Sequence, residues 1–91
     1  MSTADVVGEV RDLLAQAEFF LRSVDPNGAV TRARKAVGLA IDELGRDAAT
    51  TQDALVELER FDTAARAWSE EVARRERLRE THQIEDSARY V

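Results

Sequence analysis

Between Val30 and Val72 apolar residues recur every seven positions without losing phase. One series is Val30, Val37, Leu44, Thr51, Leu58, Ala65 and Val72, and a second, three residues on, is Ala33, Ala40, Asp47, Ala54, Phe61 and Trp68. Thr51 and Asp47 are the two exceptions in this seam. A repeat averaging 3.5 residues keeps one stripe of a helix turned toward a neighbouring helix over many turns. Upstream, Val6, Val10, Leu13, Ala17, Phe20 and Val24 alternate spacings of four and three, and Val7, Leu14 and Leu21 widen the stripe. A stripe that wide belongs to a core-facing helix of a bundle, not to a simple two-stranded seam.

Local signals divide the pattern into helices. Helix 1 is expected at about residues 3–24, capped by Ser2 or Thr3, with Asp5 and Glu9 near its positive end. Pro26 cannot continue it and pushes Asp25 out of the helical region. Asp25 can then cap a new helix with Pro26 in its first position, where a missing N–H is harmless. Asp25-Pro26-Asn27-Gly28 therefore reads as the turn of an antiparallel hairpin. Helix 2 covers about 26–45, with Val30, Ala33, Val37, Ala40, Ile41 and Leu44 inward and with Ala36 and Gly38 small enough for close helix approach.

Residues 45–51 admit two readings. Gly45 can end helix 2 and Asp47 or Thr50 can start a third helix at about 48–80. Alternatively the unbroken phase means that helices 2 and 3 are continuous, since a mid-helix glycine costs only about 1 kcal/mol. The expected fold is all-α: an antiparallel helical hairpin plus a longer third helix, in one domain over residues 1–80. Residues 81–91 form a C-terminal tail without a clear period, in which Ile84, Tyr90 and Val91 could order on binding.

Composition narrows what such a chain can do. Ninety-one residues bury a thin core, so a second copy or a partner would add to stability. The net charge of −5 opposes binding to nucleic acid and to anionic membranes. Without cysteine there is no disulfide or thiolate metal site. No apolar run approaches the length of a membrane span, and the expected compartment is the cytoplasm.

Candidate chemistry is sparse. Arg74, Arg75, Arg77 and Arg79 are interleaved with Glu70, Glu71, Glu76 and Glu80, so the segment sums to zero charge and makes a poor phosphate site. Arg32, Arg34 and Lys35 form a smaller basic group. Residues 77–82 carry an Arg-x4-His spacing, Arg77 to His82, that resembles HEPN-type ribonucleases. The resemblance covers six residues and implies Arg77 and His82 acting on an RNA phosphodiester across a dimer. The chain is shorter than that fold, with fewer helices. One histidine and no cysteine leave carboxylates alone for a metal, without a Glu-x-x-His pairing. Neither a phosphate loop nor a nucleophile elbow is present. No catalytic residue, metal, cofactor or small-molecule substrate is expected.

A length mismatch carries the functional expectation. The third helix is about nine turns long against about six for each of the others. Its surplus should contact another chain through Leu58, Phe61, Ala65, Trp68, Val72, Arg75, Leu78 and Arg79. The expected activity is protein–protein interaction, as a homodimer or with another protein, of adaptor, inhibitor or virus-encoded host-binding type. Nucleic-acid binding or cleavage and a purely structural assembly role are the alternatives.

Overall fold

The computed structural model describes the backbone of residues 2–89 and the side chains of residues 2–81. Three helices follow one another: α1 (Thr3–Arg22), α2 (Pro26–Leu44) and α3 (Ala49–Arg89). Each junction is set by identifiable local chemistry. Ser2 caps α1, its hydroxyl accepting from the Asp5 N–H at 3.2 Å. Asp25 caps α2 by accepting from the Gly28 N–H at 3.0 Å, with Pro26 at the first helical position. A Cβ at Gly28 would fall 2.5 Å from that carboxylate, so any other residue there would displace the capping side chain from its present position.

The end of α1 differs from the sequence expectation. The apolar spacing placed Val24 inside helix 1, yet it lies beyond the last turn at φ 61° and is 59% exposed. The Asp25 N–H donates to the Phe20 carbonyl at 2.8 Å and the Val24 N–H to that of Leu21 at 3.2 Å. This is the paired bonding that closes a helix with one left-handed residue, a position that usually holds glycine. Pro26 forces the stop, and Val24 absorbs the reversal.

Helices 2 and 3 are not continuous. Gly45 has φ 87° and ψ 161°, a region open essentially to glycine alone, and residues 45–48 reverse the chain. Both exceptions in the heptad seam are explained here. Asp47 is exposed in the connection. Thr51 is fully buried, and its hydroxyl donates to the Gly45 carbonyl at 2.7 Å, tying the first turn of α3 to the end of α2. The seven-residue spacing persists because α3 folds back to place the same stripe on α2, not because the helix runs through.

The packing order fixes the topology. Ala54 lies among Val6, Val10, Ala36, Val37 and Ala40, whereas Phe61 and Ala65 lie among Ala17, Ala29, Val30 and Ala33. Ascending positions in α3 thus meet descending positions in α2, so α3 is antiparallel to α2 and parallel to α1. Helix α2 is central, and α1 and α3 touch each other sparsely. Among the described residues alanine supplies half of the buried positions, which lets the helices approach closely, and Phe61 is the largest fully enclosed side chain. Gly38 takes no part in that approach: it is exposed, with open space around it. The molecule extends 71 Å along its longest axis, a length set by α3. That helix continues nine residues past its expected end at 80, to Arg89.

Candidate functional site

The seam of α3 is used differently along its length. Leu58 packs on both core clusters, and Phe61 and Ala65 are buried. Phe61 is therefore not an anchor for another chain. It is the central core residue of this one, because the antiparallel return of α3 sets it against the small residues of α2. Trp68 and Val72 are half-buried at the level of the hairpin turn. Beyond them α3 leaves the bundle. Arg75 and Arg79 are exposed, and Leu78 keeps half of its surface in water. Residues 73–89 correspond to about 26 Å of helix past the hairpin.

Where α3 passes the turn, Leu21, Val24, Pro26, Ala64, Ala67, Trp68 and Glu71 line an open apolar groove of about 390 Å³. Asn27, Trp68, Ser69, Val72, Ala73 and Glu76 border a more polar hollow on the other side of Trp68. The groove walls from the turn were not legible in the seam. Val24 reads there as a core residue, and Ala64 and Ala67 lie outside both heptad series. Their small size beside an aromatic residue is the signal that could have found them, since alanines flanking a tryptophan leave space.

Charges around the site are mostly engaged. Arg60 joins α3 to α1: it bonds Glu18 and donates to Glu57 at 2.7 and 3.1 Å, and its guanidinium lies 4.5 Å from the Phe61 ring centre. The hydrogen bond to Glu18, then that to Glu57, raise its pKa above the ordinary arginine value. With about half of the Arg60 side chain in water, these pairs contribute little, on the order of 0–1 kcal/mol. Farther along, Arg74 donates to Glu71 at 2.8 Å and Arg75 to the same carboxylate at 3.1 Å. The Arg74 hydrogen bond is the main cause holding the Glu71 carboxyl below its ordinary range.

Arg32 lies over the Phe20 ring at 4.6 Å, while Arg34 and Lys35 are exposed. Arg77 is exposed on α3, and the side chains of His82 and Ile84, together with Tyr90 and Val91, lie outside the described residues. Among the described residues no cluster of three His, Asp or Glu side chains is placed to hold a metal, and no helix is long and apolar enough to cross a membrane. No protein-family model matches the chain, and neither a curated protein nor a solved structure shows significant similarity to it.

Proposed function

We propose that this chain is a non-enzymatic protein–protein interaction module that associates with itself through α3. The observation that carries the reading is the overhang. Helix α3 continues about 26 Å beyond the hairpin, and an apolar groove opens at its root. A helix built only to complete the bundle would end near Val72. Past that point each residue adds ordering entropy without adding core, and a partner surface offsets that cost. Trp68 and Leu78 are the apolar contacts in this reading, with Arg75 and Arg79 beside them, while Val72 lies on the seam that faces the hairpin. Leu58, Phe61 and Ala65 support the helix from within. In keeping with the sequence expectation, the module works in the cytoplasm.

The test is the solution mass of the full chain, by light scattering after size exclusion, over a tenfold concentration range. A dimer, or a mass rising with concentration, is expected. A monomer at every concentration overturns self-association. Phe61 is unsuitable for probing the contact, because changing it attacks the fold. Trp68→Glu combined with Leu78→Glu is the appropriate variant, expected to dissociate while keeping the helical signal.

A further inference from the structure

We propose that the occupant of the groove at the hairpin turn is Leu78 of a second copy, in an antiparallel α3–α3 dimer. This rests on the self-association reading above and gives it a register. Ala64, Ala67, Glu71, Arg74, Leu78 and Thr81 are spaced three, four, three, four and three, so they share one face of α3. Its first part forms the groove floor, with small alanines walled by Leu21, Val24 and Pro26. Its far part carries the exposed Leu78, about 16 Å away along the helix. One face thus holds both a hole and a knob of matching apolar character. Two copies running in opposite directions put each knob against the other's hole, as an isologous contact requires.

Charge selects this arrangement over the alternatives. Setting residue 78 opposite residue 67 places Arg74 opposite Glu71, twice per dimer. The middle of the contact is then two pairs of opposite charge, flanked on each side by a leucine in an alanine-floored groove. A parallel pair would set Glu71 against Glu71 and Arg74 against Arg74, which is repulsive. Pairing of opposite charges across two helices fixes their orientation in this way. Glu71 already holds Arg74 and Arg75 within its own helix, so its carboxylate is oriented toward the same face before the second copy arrives. Val24 adds to the case: its left-handed backbone disfavours a β-branched residue, and its exposed side chain walls the groove.

The chain has no cysteine, so single thiols can be placed at will. Ala64→Cys and Thr81→Cys chains are treated with a short thiol-to-thiol cross-linker, separately and mixed. In the proposed register residue 64 of one copy lies opposite residue 81 of the other, while like positions are about 25 Å apart. The expected result is cross-linked dimer in the mixture and little from either chain alone. Leu78→Glu, which changes a residue outside the bundle, should weaken dimerisation about 100-fold or more, since it removes two apolar contacts per dimer. Its unfolding curve, taken on the monomer, should match that of the parent. Cross-linking of each chain alone shows a parallel pair and overturns the proposal while leaving self-association intact. A dimer that Leu78→Glu leaves unweakened, or that does not cross-link in the mixture, does the same. A monomer under all conditions overturns both.

Discussion

Replacing Phe61 by alanine separates a core residue from an interface residue most sharply. Phe61 is 0% exposed and is the largest enclosed side chain, held where α3 crosses the alanines of α2 and Ala17 of α1. Removing a ring from such a site costs about 3–5 kcal/mol, the lost transfer energy plus that of the cavity. Rigid helix backbones around it leave little room to collapse. A chain of this length has a total stability of about 5–14 kcal/mol. At about 4–8 °C per kcal/mol for small domains, the midpoint should fall by at least about 12 °C. Thermal unfolding followed by far-UV circular dichroism reads this directly. Phe19, 66% exposed on the neighbouring helix, is the internal control, and Phe19→Ala should shift stability by no more than about 0.5 kcal/mol. Because association stabilises by mass action, both variants are compared at two protein concentrations. A Phe61→Ala shift no larger than that of Phe19→Ala would refute the placement of α3 on α2. So would one that vanishes at low concentration.

Four further outcomes follow from the junctions and charges. Gly45→Ala meets no side chain but forces a Cβ into a glycine-only conformation, and should lower stability by about 1–3 kcal/mol in urea unfolding. Thr51→Val keeps the buried shape and removes the bond to the Gly45 carbonyl; the same assay should show a loss of about 0.5–1.5 kcal/mol. Val24→Gly should act in the opposite direction on the monomer, raising stability by up to about 1 kcal/mol as left-handed strain is relieved, while weakening association. Glu71 has a depressed pKa, so its stabilising contribution is present above the ordinary value of 4.5 and is lost as pH falls through the lowered one. An acid titration of helicity should lose that component in Glu71→Gln; identical acid profiles for the two proteins would contradict it.

The bundle was readable in the sequence because its determinants are local or periodic. Asp25-Pro26 marks the first turn through backbone chemistry that few contexts override, and the seam residues Val30, Val37, Ala54 and Phe61 are buried as their spacing implies. The second junction was ambiguous for a physical reason. Gly45 ends a helix only when the chain can reverse and be held, and the holding bond, Thr51 to Gly45, spans six residues. In the seam Thr51 reads merely as a polar interruption. The site was harder still. Periodicity identifies the α3 stripe but not where the hairpin stops covering it, so Phe61 and Trp68 look equivalent although one is enclosed and the other borders a groove. Val24 is the clearest failure of pattern reading, because an apolar residue at helical spacing becomes a groove wall once the proline ends the helix two residues early.

The most direct test of α3 as the association surface is amide hydrogen exchange of the full chain at high protein concentration and after a hundredfold dilution. Protection over residues 64–81 should fall on dilution, with the largest change around Glu71–Leu78, while protection over residues 29–40 in α2 stays unchanged. If residues 64–81 exchange identically at both concentrations while the mass shows a change in association, α3 beyond the hairpin is not the contact and the account is wrong.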